Sequence, residues 1–255
     1  MEKSLKSKYP PVGQISEAER VGVVKEIFST VTRRYDFLNH FLSLRRDIAW
    51  RRFTVQKMHF FGTFRFLDVA TGTGDVAIAA ARFHPSIRVI GLDFVQGMMD
   101  LARLKVEKSG ISERIRFLMG DALNLPFRDH SFDAAGIAFG IRNIPNRLQA
   151  LEEMGRVVVP GGRVMVLEMT TPRSGIFREI YKFYLNRILP CMAKPFSQNP
   201  GAYHYLADSI IHFPAPEVFA REMEKAGLTR IEVYPLDFGI TYLHIGYKPE
   251  AKGKH

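Results

Sequence analysis

Only one cysteine, Cys191, occurs in the 255 residues, so no intramolecular disulfide can form, which suits a reducing, cytoplasmic setting. No uncharged apolar run approaches the ~18 residues a membrane-spanning helix needs. The opening MEKSLKSKYPPVG has no apolar core of the kind a secretory signal requires. The eight histidines show no H-x-x-x-H or comparable spacing, so no metal site is expected. There is no internal repeat and no low-complexity tract.

What the chain does have is an ordinary hydrophobic fraction, 46%, enough for a real core. Its formal charge is +10, and the excess is localised. Residues 1–60 hold twelve Lys/Arg against six Asp/Glu, and residues 171–200 hold five against one. A solvated basic surface accounts for such runs, as does an anionic partner such as nucleic acid, a phosphorylated substrate or a membrane face.

The first dozen or so residues read as flexible, and the pattern from 17 to about 60 is helical, with Val23, Val24, Ile27, Phe28 and Val31 at helical spacing. Strands then alternate with helices: FRFLDVA, IRVIGLD, IRFLMGD, SFDAAGIAFG and RVMVLEM, followed by TRIEVYPL and TYLHIGYK as a late pair. This alternation implies a mostly parallel sheet with helices on both faces and a ligand beyond the carboxyl ends of the strands. A segment at about 172–213 interrupts the rhythm and reads as a helical insertion, with helices near GIFREIYKFYLNRIL and GAYHYLADSII.

DVATGTGDVA, residues 68–77, reads as a strand end, a glycine turn and a helix start. The spacing Gly72-x-Gly74-x-x-Ala77 fits the dinucleotide fingerprint in its Gly/Ala variant. The loop has no Lys, which excludes a Walker A site. Asp75 follows the second glycine, in the first helical turn where a pyrophosphate would bind. A carboxylate there repels phosphates and suits a ligand bearing an ammonium or sulfonium, which tilts the reading from NAD toward S-adenosylmethionine. Asp68, Asp93 and Asp121 each close or directly follow a predicted strand, so all three converge on one rim. Each alone also fits a helix cap or turn carboxylate. Asp93, nineteen residues after Gly74, is placed to accept both ribose hydroxyls of an adenosine. In GDALNLPF, Asp121 can accept the adenine amine and the Ala122 N–H can face a ring nitrogen.

Over roughly residues 20–250 the sequence resembles the ubiquinone/menaquinone biosynthesis C-methyltransferases. IFSTVTRRYDFLNHFLSLRRDIAWRR, AFGIRNIPNRLQALEEMGRVVVPGGRVMVLEM, YHYLADSI and YLHIGYK carry the likeness. The resemblance implies a class I S-adenosylmethionine-dependent methyltransferase: an α/β, Rossmann-like fold with a mostly parallel seven-stranded sheet, an N-terminal helical lid and a helical insertion. Residues 1–60 would be the flexible start and lid, 61–250 the methyltransferase domain, and 251–255 a tail. The implied cofactor contacts are Thr73, Asp93, Asp121 and Ala122, with Gly72, Gly74 and Asp68 framing the loop. Ala138 stands where many members carry a serine.

The implied reaction is methylation of a ring carbon of a prenylated quinol, demethylmenaquinol first and the ubiquinol precursor 2-methoxy-6-polyprenyl-1,4-benzoquinol as the alternative. An ortho carbon becomes a strong nucleophile once its hydroxyl is deprotonated, so a base or a phenolate-stabilising group matters most. FGIRN ends the fourth strand, which makes Arg142 a candidate to stabilise the phenolate and Asn143 a candidate to orient a quinol oxygen. Tyr35, in the lid, is a candidate hydrogen-bond partner or base, and equally fits a core tyrosine. His244 is a weak substrate-pocket candidate. In the insertion, Ile176, Phe177, Ile180, Phe183, Tyr184, Ile188 and Leu189 recur near helical spacing among Arg173, Arg178, Lys182, Arg187 and Lys194. That pattern fits a core helix, a dimer face or peripheral contact with the inner face of a membrane. Three rivals remain: a nicotinamide oxidoreductase, a nucleic-acid methyltransferase, and a non-catalytic scaffold of the same fold. The missing third glycine weighs against the first, and the missing [ND]PP[YF] tetrapeptide and RNA-binding appendage against the second.

Overall fold

A computed structural model describes residues 9–32, 35–195 and 199–250. Its sheet has seven strands: β1 (Arg65–Val69), β2 (Arg88–Asp93), β3 (Ile115–Met119), β4 (Phe132–Ala138), β5 (Val158–Met169), β6 (Thr229–Leu236) and β7 (Thr241–Tyr247). They lie in the order β3-β2-β1-β4-β5-β7-β6. Strands β1 to β5 pair in parallel, while β7 runs antiparallel to both β5 and β6. The order reverses between β1 and β4, and a crevice opens there beyond the carboxyl ends of the strands.

Alternation along β1 splits the core into two layers. Phe66 packs with Trp50 and Val55 of α3 (Arg46–Gln56) and with Val76, Ala77 and Ala80 of α4 (Asp75–Phe83). Leu67 and Val69 face the other way, onto Leu151 and Met154 of α6 (Arg147–Val157) and Phe219 and Met223 of α10 (Pro216–Lys225). Helix α5 (Gln96–Lys108) flanks β2 and β3. Gly74 caps α4 with φ +81°, and a Cβ there would sit 3.1 Å from the Ala102 side chain, so glycine is needed for both backbone and space.

A third core lies outside the sheet. Helices α1 (Glu17–Val31) and α2 (Tyr35–Leu42) bury Val24, Ile27 and Leu38 against Tyr181, Leu185, Leu189, Tyr203, Tyr205 and Ile210 of the insertion. The lid and the insertion, read as separate segments in the sequence, thus form one helical layer over the crevice. The insertion is α7 (Gly175–Phe183), a π-turn (Tyr184–Ile188), α8 (Leu189–Ala193) and α9 (Gly201–Ile211). Ser16 and Glu19 form a reciprocal capping box that fixes the start of α1.

The flexible start expected from the sequence is corrected in part. Residues 9–14 pack on α9: Tyr9 and Val12 are buried, and the Val12 N–H donates to Asp208 at 2.6 Å. Residues 1–8 and the tail at 251–255 lie outside the described residues.

Candidate active site

Two cavities meet in the crevice, and Tyr35 and Phe139 belong to the walls of both. The first is walled by Ala70 and Gly72 of the glycine turn, Asp93 and Val95 after β2, Asp121 and Ala122 after β3, and Ala138, Gly140 and Asn143 after β4. Val24 and Phe28 of α1 close it from above. The sequence-predicted Gly72, Asp93, Asp121, Ala122, Ala138 and Asn143 therefore come together.

The Asp93 carboxylate is almost fully buried and already ties the loops together. Its Oδ2 accepts from the Gly72 N–H at 2.8 Å and its Oδ1 from the Val95 N–H at 2.9 Å. Burial raises its pKa, against the lowering pull of those N–H donors. Each oxygen keeps a further lone pair for a ligand hydroxyl. Asp121 accepts the Leu123 N–H at 2.9 Å and is otherwise exposed to the cavity. Gly72, at φ +56°, has open space beside its Cα, so the turn presents bare backbone. Ala70 and Phe139, both non-glycine, hold φ of +51° and +57° directly after β1 and β4. Such strain at two adjoining strand ends is typical of a ligand site.

Several predicted residues stand outside this wall. Asp68 is buried beneath the loop, where Oδ2 accepts from Thr71 Oγ1 at 2.6 Å and from the Ala77 N–H at 3.1 Å. Burial pushes its pKa up to about 7. It braces the turn rather than facing a ligand, and Gly74 likewise serves as the helix cap. Thr73 turns its hydroxyl to Asp36 of the lid, donating at 2.5 Å, and Lys105 joins them at 2.8 Å from Asp36. Asp75, expected to face a cationic ligand, does not line the cavity. It is ion-paired with Lys105 and Arg51 on the outer side of α4. The wall itself disfavours a phosphate ligand, since it contains two carboxylates and no Lys or Arg among its described residues.

The second cavity, about 680 Å³, lies between the lid, the insertion and the β6–β7 hairpin. Its wall is largely apolar and aromatic, with Leu42, Trp50, Phe177, Tyr184, Leu185, Leu206 and Ile210. Arg142 reaches into it from the turn after β4 and is buried. Glu168, at the end of β5, is its ion-pair partner, and Arg142 NH1 also donates to the Phe139 carbonyl at 2.8 Å. Glu168 in turn accepts the Met169 N–H at 2.8 Å. Arg142 Nε and the Tyr181 hydroxyl are both buried in this wall without a hydrogen-bond partner among the described residues. Orphaned donors beside an apolar cavity are candidates to pair with a ligand oxygen. Burial raises the pKa of Tyr35, so its hydroxyl stays protonated and is a donor rather than a base.

Sequence reasoning missed Glu168, Phe139 and Tyr181. Glu168 carried the same signal as Asp68 and Asp93, an acid at a strand end, one strand further along. Phe139 and Tyr181 carried none.

His244 is not a substrate-pocket residue. It is buried under α10, with its Nε2–H donating to the Pro216 carbonyl at 3.1 Å and Nδ1 bare. Burial pushes its pKa down to about 4. Because the folded value lies below the unfolded one, its neutral form stabilises the fold above pH 6.5, and that contribution is lost as pH falls toward about 4. Urea melts of the wild type and His244→Gln should therefore diverge on acidification, the wild type losing stability relative to the variant. Parallel pH profiles would assign the acid sensitivity elsewhere.

The strand order, the glycine turn and the acid closing β2 define the fold of class I S-adenosylmethionine-dependent methyltransferases. Solved structures share it. A possible histamine N-methyltransferase from Thermotoga maritima superposes with a TM-score of 0.60 at 22% identity, over 87% of this chain and 99% of that one. The [4+2]-cyclase SpnF does so with a TM-score of 0.60 at 18% identity, over 89% and 96%. These two carry different chemistries, so the likeness shows the fold alone. The chain belongs to the ubiE/COQ5 methyltransferase family, which matches residues 14–248. It is 44% identical over 226 residues to the ubiquinone/menaquinone biosynthesis C-methyltransferase UbiE of Geotalea daltonii, covering 88% of this chain and 96% of that protein. It is 43% identical over 239 residues to the demethylmenaquinone methyltransferase of Deinococcus radiodurans, covering 94% and 97%.

Proposed function

We propose that the protein transfers a methyl group from S-adenosylmethionine to a ring carbon of a prenylated quinol, demethylmenaquinol giving menaquinol. The observation that carries this reading is the pair of joined cavities. One suits a cationic nucleoside, and the other is larger, largely apolar and fitted with a buried arginine.

S-Adenosylmethionine supplies an already activated methyl group when bound. Asp93 would hold the ribose hydroxyls, Asp121 and Ala122 the adenine, and Gly72 and Ala138 the methionyl group. The side chains of Thr73 and Asp68 act one layer behind, by fixing the loop. In the second cavity a quinol oxygen fits against Arg142 Nε and the Tyr181 hydroxyl, with the prenyl tail along Leu185, Leu206 and Ile210. A guanidinium there lowers the pKa of a quinol hydroxyl and stabilises the phenolate left when its proton passes to water, which makes the neighbouring ring carbon nucleophilic. That carbon takes the methyl group as the S–CH₃ bond breaks, S-adenosylhomocysteine leaves, and the ring C–H proton is lost to water as aromaticity returns. Tyr35, shared by both walls, and Asn143, in the wall of the first, orient the ring and exclude water.

The test offers radiolabelled S-adenosylmethionine with reduced demethylmenaquinone and, in parallel, 2-methoxy-6-polyprenyl-1,4-benzoquinol. Label in menaquinol is expected. Label only in the benzoquinol product would move the assignment to ubiquinone synthesis, and label in neither, with cofactor binding intact, would overturn it. Tyr181→Phe should lower kcat about tenfold through one lost hydrogen bond, without loss of thermal stability, since the hydroxyl it deletes has no partner among the described residues. An unchanged kcat would remove Tyr181 from the oxygen site.

No helix among the described residues is long and apolar enough to cross a membrane. With a membrane-resident substrate, we place the protein at the cytoplasmic face, in peripheral contact with the bilayer and with no nucleic-acid partner. The insertion is also the candidate face for a homodimer.

A further inference from the structure

Helix α7 is amphipathic, with one broad apolar face and with Arg178, Glu179 and Lys182 on the remainder. One half of the apolar face, Phe177, Tyr181 and the following Tyr184, lines the second cavity. The adjoining half, Ile176, Ile180 and Phe183, stands in solvent at 80%, 58% and 61% exposure. The apolar face of an amphipathic helix is ordinarily covered, and here half of it is not.

Two loop tips extend this surface around the cavity mouth. Leu44 and Arg45, between α2 and α3, have φ of +52° and +62°, and Asp237 and Phe238, in the β6–β7 hairpin, have +43° and +58°. None is glycine, so both tips hold conformations that L-residues resist. An Arg46–Asp237 ion pair and a 2.7 Å bond from Trp50 Nε1 to Asp237 lock the tips together. The consequence is that Leu44 and Phe238, both in the cavity wall, project outward at 78% and 91% exposure. Phe238 lies edge-on to Phe177, with ring centroids 6.0 Å apart, and the Tyr184 hydroxyl donates to the Leu42 carbonyl at 2.8 Å. The helix stripe and the tips are therefore one connected rim. The segments that form it are net basic, with Arg45 and Arg46 on one tip and five Lys/Arg against one Asp/Glu in residues 171–200, of which Arg46, Arg173 and Lys182 are ion-paired with Asp237, Glu217 and Glu179.

We infer that the outer stripe of α7, together with Leu44 and Phe238, is a docking surface for an anionic lipid bilayer, seated so that the second cavity opens into the acyl region. Apolar side chains on a raised rim and the net basic charge of its segments are complementary to the acyl boundary and the anionic headgroups respectively. The inference rests on the reading of that cavity as the prenylated quinol site, because a tail then passes from the bilayer into the protein without crossing water.

The test is flotation of the full-length protein with phosphatidylglycerol-containing vesicles and with pure phosphatidylcholine vesicles. The wild type should float with the anionic vesicles and be weakened by high salt. The double variant Ile176→Glu/Ile180→Glu should lose roughly 100-fold in partition coefficient, since two exposed apolar side chains no longer insert. Phe238→Ser should show a smaller loss in the same direction. All three positions are exposed, so melting temperatures should stay near wild type. Methylation of a quinol with a single prenyl unit, soluble without vesicles, should persist in the double variant while a long-tailed quinol in vesicles is turned over poorly. A wild type that does not float, or a double variant that floats as the wild type does, overturns the docking surface. So does sedimentation showing a dimer that the double variant dissociates, with no vesicle binding by the wild type. Flotation lost only in the variants, with neither quinol methylated, supports the docking surface and sinks the quinol assignment instead.

Discussion

Arg142→Lys is expected to lower kcat about 100-fold or more, the scale of losing a positioned oxyanion donor, while the affinity for S-adenosylmethionine stays within about twofold. The separation follows from the two cavities. Arg142 lines the larger one and is absent from the wall of the smaller. Lysine keeps a positive charge for Glu168, so the fold survives, but an ammonium has no second planar donor edge. The guanidinium spends one nitrogen on Glu168 and the Phe139 carbonyl, and its Nε has no hydrogen-bond partner among the described residues. Arg142→Met is a harsher change. It leaves Glu168 ionised and unpaired in the interior, at a cost of about 3–5 kcal/mol, and would be confounded by unfolding. Single-turnover rates and calorimetric titration of the cofactor on the lysine variant decide the matter. Equal losses in rate and cofactor affinity would mean that Arg142 holds the crevice together rather than acting on the quinol.

The residues legible in the sequence are those fixed by strand geometry. Asp93 and Asp121 end or follow strands whose apolar runs are plain, and a parallel sheet brings those ends to one rim whatever the rest of the chain does. Asp75 shows the limit of that logic. Its place in the first turn of α4 was read correctly, but which way it points depends on Lys105 and Arg51, which lie 30 and 24 positions away. Thr73 is similar, since its hydroxyl is claimed by Asp36 in the lid. Periodicity reports an element's face and not the long-range partner that captures a polar side chain. The second cavity was illegible for the same reason: it exists only because the lid and the insertion, about 140 residues apart, share a core. The short segment at residues 9–14, with one 3-10 turn at Val12–Gln14, lacks a periodic apolar pattern, so its anchoring through Val12 to Asp208 left no trace in the sequence.

Asp93→Ala should raise the dissociation constant for S-adenosylmethionine by about 100-fold or more, since the two charge-assisted hydrogen bonds proposed to the ribose hydroxyls would contribute roughly 1.5 kcal/mol each at least. The loss has a second source in the protein itself. Without the carboxylate the Gly72 and Val95 N–H groups lose their acceptor, and the glycine turn and the loop after β2 are no longer tied to one another. Asp93→Asn separates the two effects. It keeps the volume and one acceptor oxygen, but its amide NH₂ must face either an N–H donor of the loops or the ribose hydroxyls. The asparagine variant should therefore bind the cofactor weakly with a smaller loss of melting temperature than alanine. Acidification of the wild type should imitate it. Burial raises the Asp93 pKa, so its protonation, and the weakening of cofactor binding, should begin at a higher pH than an ordinary carboxylate would give. The asparagine variant should not show that acid limb. Titration calorimetry across pH on the three proteins reads both effects, and an asparagine variant that binds as tightly as the wild type would remove the ribose role from Asp93 and leave it as a structural tie between two loops.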